Sequence, residues 1–248
     1  MTAQEHWFST THWSKVALAK EPTDAQGIAA LEQLCCTYWY PLYAYLRRRG
    51  YPPGDAEDLT QELFARLLRD NSFAQVDRAK GKFRSFLLAS LNHLLANEHA
   101  RSQAIKRGSG RPIMALDRKA GEQRYQYQPT TDATPEKLYE REWALTLLDQ
   151  AMRGLHGEWV AAGKAAQFEQ LKCFLACDGE ERSYPALATQ WQTTANAVAA
   201  TVYRLRQRYR ELVREQIAHT VLGPEELEEE LHHLFAVLRW NPGSAIHP

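Results

Sequence analysis

The stretch DAEDLTQELFARLL, residues 55–68, does more than any other part of the chain to decide the fold. Its apolar side chains recur at intervals of three and four residues, which is the period of a helix with one buried face. Asp55 is placed to cap this helix, and Glu57 and Asp58 fall in its first turn, where the positive end of the helix dipole favours carboxylates. We therefore predict an amphipathic helix with an acidic, polar face. Its apolar stripe is Leu59, Leu63, Phe64, Leu67 and Leu68.

Helical periodicity continues on both sides of this stretch. Residues 29–46 carry the pattern with Pro41 inside it, which predicts two helices or a kink, because proline lacks the backbone donor. A further pattern runs over about residues 81–99. Strand signals are scarce, since Val and Ile are few and period-two runs of useful length are missing. The prediction is an all-α first domain over residues 1–105.

The remainder of the chain divides by composition. Residues 106–135 are rich in Gly, Pro, Thr, Gln and charge and lack a helical period, which predicts a flexible linker. Periodicity resumes over residues 136–221, a second helical domain, and residues 222–248 form an acidic C-terminal extension. The predicted fold is thus all-α, with two small helical domains joined by the linker.

Charge is unevenly distributed along the chain, although 30 basic and 30 acidic residues cancel over its 248 positions. Residues 78–119 contain ten Lys or Arg and two acidic residues, and residues 204–214 contain five Arg and one Glu. Clustered cations of this kind are what binding to nucleic-acid phosphates requires, because each neutralised phosphate releases counterions. Ordinary solvated helix faces are the alternative interpretation.

Residues 184–213, YPALATQWQTTANAVAATVYRLRQRYRELV, have the spacing of a helix-turn-helix. Leu187 and Trp191 suit the apolar face of a short first helix, and Thr194 is placed to cap a second one that turns Val198 and Val202 inward. In such motifs the second helix enters the major groove of DNA. Because the turn contains no Gly, an ordinary helical hairpin remains the alternative.

Nothing in the sequence supports an enzyme, a cofactor site or a metal site. A phosphate-cradling Gly loop, GxSxG and HExxH are all missing, and no His lies near Cys173 and Cys177 to complete a metal set. The first residues lack the basic start and apolar core of a secretory signal, and no apolar run is long enough to span a membrane. We therefore expect a cytoplasmic protein without a membrane segment.

Taken together, these stretches resemble bacterial sigma factors of the extracytoplasmic-function (ECF) type, within the sigma-70 family. Residues 40–68 are similar to the part of their region 2 that docks on the polymerase clamp, and residues 81–103 to the part that recognises and melts the proximal promoter element. Residues 184–213 resemble region 4, which reads the distal element. Residues 222–239, LGPEELEEELHHLFAVLR, resemble an extension found in one branch of these proteins.

The resemblance implies a role and a site for each part of the chain. The protein is expected to bind core RNA polymerase, direct it to promoter DNA and assist melting, with no catalytic activity of its own. The residues implied in core polymerase binding are Asp55, Asp58, Leu59, Gln61 and Glu62. Those implied at the proximal element are Lys80, Lys82, Arg84, Asn92, Asn97, His99 and Arg101. Those implied at the distal element are Thr193, Thr194, Asn196, Thr201, Arg204 and Arg206.

The sequence departs from the family pattern at three places, one of which is the carboxylate usually present late in the helix over residues 81–99, whose position falls near Ala96 or Asn97 here. Phe86 stands where many members carry Trp, and we expect Phe83 and Phe86 to pack in the core rather than meet bases. The second helix of the helix-turn-helix lacks a basic residue in its first two turns, which predicts a different or weaker preference at the distal element.

Two questions stay open from the sequence alone. A helix-turn-helix regulator that acts without polymerase is the rival function, and it predicts dimers on palindromic sites. The acidic extension either folds onto a basic DNA-binding surface and masks it, or packs to complete the second domain. Control by a separate anti-sigma protein is the other way of holding such a factor inactive.

Overall fold

The structure is a computed structural model that describes residues 25–69, 82–102, 118–126, 133–176, 184–218, 221 and 224–239. Every regular element in these ranges is a helix, so the predicted all-α fold is confirmed. The helices are α1 (Ala25–Arg48), α2 (Pro53–Arg69), α3 (Phe83–Ser102), α4 (Arg118–Gln126), α5 (Pro135–Ala161), α6 (Ala165–Leu171), α7 (Cys173–Ala176), α8 (Tyr184–Gln190), α9 (Ala195–Ala218) and α10 (Pro224–Arg239).

The chain forms two compact units whose limits differ from the expected domain boundaries. One unit consists of residues 1–146 together with 217–248, and the other of residues 147–216. The division therefore falls within α5, and the acidic extension belongs to the same unit as α1–α3. The extension contacts Arg84 on α3 and Glu140 at the start of α5, and Glu140 lies within the predicted second domain.

In the first unit, α1 packs against α2, and α2 against α3. α1 runs without a break through Pro41, so of the two expected alternatives, two helices or a kink, the first is wrong and the segment is one helix of 24 residues. It ends where Gly50 adopts a φ of 91°, with Gly50 donating to the carbonyl of Arg47 and Tyr51 to that of Leu46. Glycine is favoured there because the left-handed conformation strains residues that carry a Cβ. The core includes Tyr38, Leu42, Leu46, Leu63, Phe83, Leu87 and Leu91.

A helix lies where the sequence predicted only a flexible linker. α4 packs on α1 through Glu122, which forms an ion pair with Arg47 at 3.1 Å and accepts a hydrogen bond from the Tyr43 hydroxyl. Gly121 lies directly over Trp39, and a Cβ at this position would come within 2.9 Å of the indole. The period-based prediction missed α4 because polar contacts and one close approach hold it, rather than an apolar stripe.

The second unit contains the predicted pair of helices α8 and α9. Residues 191–194 join them, and Gln192 takes the left-handed conformation, with a φ of 52°, that Gly usually supplies. Thr193 donates to the carbonyl of Ala188, which closes the end of α8. The Thr194 hydroxyl accepts a hydrogen bond from the backbone N–H of Ala197 at 3.2 Å, so it caps α9 as predicted.

Candidate functional site

The first candidate surface is the acidic face of α2, which we define as Asp55, Asp58, Leu59 and Glu62. These positions are spaced by three and four residues and so share one side of the helix. Asp55 and Asp58 are exposed, whereas Leu59 and Glu62 are half-buried at the edge. Gln61, also expected at this surface, is half-buried and donates to Glu57 at 3.1 Å. The arrangement presents two carboxylates beside a partly apolar rim.

The opposite side of α2 holds this face in place. The buried side chains are Ala56, Thr60, Leu63, Phe64 and Leu67, so the predicted stripe shifts towards Ala56 and Thr60. The capping prediction for Asp55 is wrong, because α2 already begins at Pro53. A proline at the first helical position loses no hydrogen bond, since that N–H has no partner inside a helix. Asp55 lies in the first turn instead, where its charge is favourable.

The second candidate site surrounds Arg84 at the start of α3, and we call Lys82, Arg84, Glu140 and Glu230 the Arg84 cluster. The Arg84 side chain is 7% exposed and forms ion pairs with Glu140, at 2.8 Å, and with Glu230. The Nζ atom of Lys82 lies 2.6 Å from Oε1 of Glu230, an ion pair whose hydrogen-bond alignment is poor. Three parts of the chain thus meet at this point: α3, α5 and α10.

Aromatic groups close the Arg84 cluster from the other side. The Arg84 guanidinium lies 4.8 Å from the ring centre of Trp143, within the range of a cation–π contact. The Tyr139 hydroxyl donates to the backbone carbonyl of Arg84 at 2.9 Å. His233 on α10 contacts Glu140 at 2.7 Å and lies near the Trp143 ring. Arg84 was expected to hold DNA phosphates, but in this structure it is buried.

Electrostatics confirm that the cluster favours ionised groups. Burial by itself raises the pKa of Glu230, but the hydrogen bond from Arg84 and the charge of Lys82 outweigh it, so the pKa lies below the usual value. Burial likewise lowers the pKa of Arg84, and its carboxylate partners more than reverse this effect. Both partners therefore stay charged at neutral pH, as a buried ion pair in which Arg84 binds one carboxylate oxygen of Glu230.

The other residues expected at the proximal element differ in how far they are buried and in their hydrogen-bond partners. Asn92 is half-buried, and its Oδ1 accepts hydrogen bonds from Tyr45 at 2.9 Å and from Arg49 at 2.8 Å. Asn97 is exposed on α3. Lys80 lies outside the described residues, and so do the side chains of His99 and Arg101. Phe83 is buried as expected, and Phe86 is half-buried beside it.

The third candidate surface is the outer face of α9. Val198, Val202 and Leu205 are buried on the inner face, which confirms the predicted amphipathic pattern. Thr193, Asn196 and Arg204 are exposed, as a DNA-reading surface requires. This face also carries Tyr203, which is 62% exposed and accepts a hydrogen bond from Gln207 at 2.9 Å.

Some residues expected to contact DNA are engaged within the protein. The Thr194 hydroxyl caps α9, and the Thr201 hydroxyl donates to the carbonyl of Ala197 at 2.8 Å. Arg206 donates to the carbonyl of Phe174 at 3.0 Å. Arg208 donates hydrogen bonds to Glu158, Glu211 and Glu215, and these bonds, above all the one to Glu158, raise the pKa of its guanidinium. The net positive charge available on α9 is therefore smaller than the sequence indicated.

Sequence reasoning missed two exposed residues next to these sites. Tyr203 lies seven positions after Asn196 and hence on the same face of α9, a spacing that was available from the sequence. Arg49 directly follows the last residue of α1 and donates a hydrogen bond to Asn92 on α3. Only the packing of α1 on the rest of the unit reveals that second contact.

The described residues contain no group of acidic, His and Cys side chains arranged to hold a metal ion. Nor is any described helix long and apolar enough to cross a membrane. Cys35 and Cys36 lie on different sides of α1, and burial raises the pKa of the Cys35 thiol to about 12.

One part of the chain matches a known protein family. Residues 38–105 match the family model described as Sigma-70 region 2. This range holds the acidic face of α2 and the first two residues of the Arg84 cluster, and its match indicates a Sigma-70 region 2 domain in this part of the chain. Searches of curated proteins and of solved structures returned no match.

Proposed function

We propose that this protein is a transcription initiation factor of the extracytoplasmic-function type that acts in the cytoplasm. Its Sigma-70 region 2 domain binds core RNA polymerase and takes part in promoter melting, and the helix-turn-helix formed by α8 and α9 reads the distal promoter element. The observation that carries the proposal is the match of residues 38–105 to Sigma-70 region 2.

Two features of the structure support the proposal. Asp55 and Asp58 are exposed on one side of a helix whose other side is core, which suits docking onto a basic or polar groove of a partner. In the second unit, α9 turns Asn196, Tyr203 and Arg204 outward, which suits entry into a DNA groove. A regulator that binds DNA without polymerase has no use for the acidic face of α2.

The deciding experiment is affinity co-purification with bacterial core RNA polymerase. We expect wild-type protein to bind, and the double variant Asp55→Ala/Asp58→Ala to bind about tenfold more weakly or worse, because it loses charge complementarity at the centre of the contact. The matched control is Glu225→Ala/Glu228→Ala on α10, which removes two exposed carboxylates at the same spacing.

The control should bind as wild type does. Equal losses in both double variants would mean a nonspecific charge effect and would count against the acidic face of α2. Wild-type protein that shifts DNA but ignores core polymerase would favour the regulator without polymerase.

A further inference from the structure

The start of α3 is built as an anion-binding site. α3 has no acidic residue in its first turn, where the helix dipole favours negative charge. Lys82 lies at the N-terminus of the helix, where its carbonyl accepts from Ser85 and Phe86, and Arg84 follows in the first turn. Two cations beside a helix N-terminus attract a carboxylate or a phosphate by the same chemistry.

The anion that occupies this site in the structure is Glu230 from α10. Its carboxylate pairs with both Lys82 and Arg84, and its side chain is 2% exposed. Arg84 and Glu230 are 146 positions apart in the chain, so the fold, and not the local sequence, brings them together. The Lys82 side chain is still 36% exposed, which leaves one side of the site accessible from solvent.

The other residues of α10 divide between a buried side and an exposed acidic side. Leu231 and Leu234 are buried, and His233 contacts Glu140. Glu225, Glu228 and Glu229 are exposed on the outside. A DNA strand that approaches α10 therefore meets acidic side chains, and like charges repel over a distance of about one Debye length.

We propose that Lys82, Arg84 and the start of α3 form a binding site for the sugar–phosphate backbone of promoter DNA, and that α10 occupies this site with Glu230 until DNA displaces it. The inference rests on the proposed function, since it assumes that region 2 meets promoter DNA. It differs from masking of the helix-turn-helix, because the covered surface belongs to the region 2 unit.

The test measures DNA binding by the full chain at low salt. The probe is a fluorescent forked DNA of mixed sequence, with one duplex arm and one single-stranded arm, titrated with wild type, Glu230→Gln and the control Glu229→Gln. Both substitutions remove one negative charge, but Glu229 is exposed whereas Glu230 is buried in the site. We expect about tenfold tighter binding for Glu230→Gln and less than about twofold change for Glu229→Gln.

Two further measurements decide the mechanism. In the Glu230→Gln background, Lys82→Gln should abolish the gain, because the site then lacks one of the two cations that hold the DNA backbone. Amide hydrogen exchange over residues 224–239 of the wild type should become faster when the forked DNA binds, because α10 then loses its packing contacts. This last measurement needs no substitution, so it holds even if Glu230→Gln impairs folding.

The inference is overturned if the Glu230→Gln variant binds the forked DNA no better than Glu229→Gln, once a cooperative thermal unfolding transition has shown that it is folded. It is equally overturned if residues 224–239 stay protected while DNA is bound. The proposed function is judged separately by co-purification with core polymerase. A variant that binds polymerase normally but shows no gain in DNA binding contradicts only the masking by α10.

Discussion

At the scale of single residues, Tyr203 is the most exposed of the large hydrophobic side chains in the described part of the chain, at 62%. The ring of a Tyr offers an apolar body and a polar hydroxyl on the same exposed side chain. Its neighbours on α9 are Asn196, Ala200 and Arg204, which combine a polar group, a small side chain and a cation. A groove-facing helix surface uses this mixture, since aromatic and methyl groups contact thymine and cations contact phosphates.

We predict that Tyr203→Ala weakens binding of duplex DNA carrying the distal element by about tenfold in the complex with core polymerase, because an apolar base contact is lost. Binding of core polymerase itself should not change. The measurement is a titration of that complex against duplexes selected by the wild type. Val160→Ala, which shortens another exposed apolar side chain of the same unit, should have no effect. A loss of the same size in Val160→Ala would show that the weaker DNA binding does not come from a lost base contact of Tyr203.

Arg84 shows why residue roles are harder to predict than elements. Its position among ten basic residues indicated a phosphate contact, and the sequence contains no sign that Glu140 and Glu230 reach it from 56 and 146 residues away. Thr194 was predictable as a cap because a cap depends only on the three residues that follow it. The difference is one of distance along the chain.

At the scale of elements, the helices that carry an apolar stripe were predicted with their buried faces nearly right. α2 and α9 owe their position to such stripes, so period alone located them. α4 has no stripe, and its contacts with α1 include the ion pair of Arg47 with Glu122, the hydrogen bond from Tyr43 to Glu122 and the close approach at Gly121. Contacts of this kind leave no periodic trace in the sequence.

α4 yields a prediction about packing. Gly121→Ala gains about 1 kcal/mol in helix propensity but forces a methyl group to 2.9 Å from the buried Trp39 ring. Overpacking of a filled site costs about 1–3 kcal/mol. Trp39 is stacked on Tyr43 and has little room to move, so we expect net destabilisation of about 1 kcal/mol.

Thermal unfolding of the two variants Gly121→Ala and Gly54→Ala measures this effect. A Cβ at Gly54 meets nothing within 4 Å, so that control in the same unit should leave the midpoint unchanged or raise it. A stable Gly121→Ala protein would mean that α4 shifts on α1 without penalty.

At the scale of the whole molecule, charge is arranged in pairs rather than spread over the surface. Glu122 has a pKa below its usual value: burial opposes this, and hydrogen bonds from Tyr43 and Arg47 outweigh burial. Glu230 behaves in the same way in the Arg84 cluster. Glu142 is the opposite case, because burial raises its pKa despite Arg124 and Arg141. The net charge of zero therefore conceals carboxylates with contrasting effects on stability.

These shifts predict a stability that falls in acid. A carboxylate with a lowered pKa in the folded state stabilises the fold above the unfolded value of about 4.3 and loses that contribution as pH falls through its folded pKa. Glu142 opposes this, since protonation of a group with a raised pKa favours the folded state. We expect the midpoint of thermal unfolding to drop by about 5 °C or more between about pH 5 and about pH 3.

Glu122→Gln/Glu230→Gln should lower stability at neutral pH and flatten that profile, because neither position then titrates. The same measurement on Glu142→Gln should steepen the profile instead. Profiles that are parallel in wild type and in the double variant would locate the acid sensitivity elsewhere.

The composition of the first unit also sets an order of events during synthesis. Its two segments, residues 1–146 and 217–248, are separated by the whole of the second unit. Lys82 and Arg84 therefore leave the ribosome well before Glu230, and at about 5–20 residues per second the 146 positions between Arg84 and Glu230 correspond to a delay of about 7–30 s. For that time the start of α3 lacks Glu230, so Lys82 has no carboxylate partner there, and the second unit is complete before the first one.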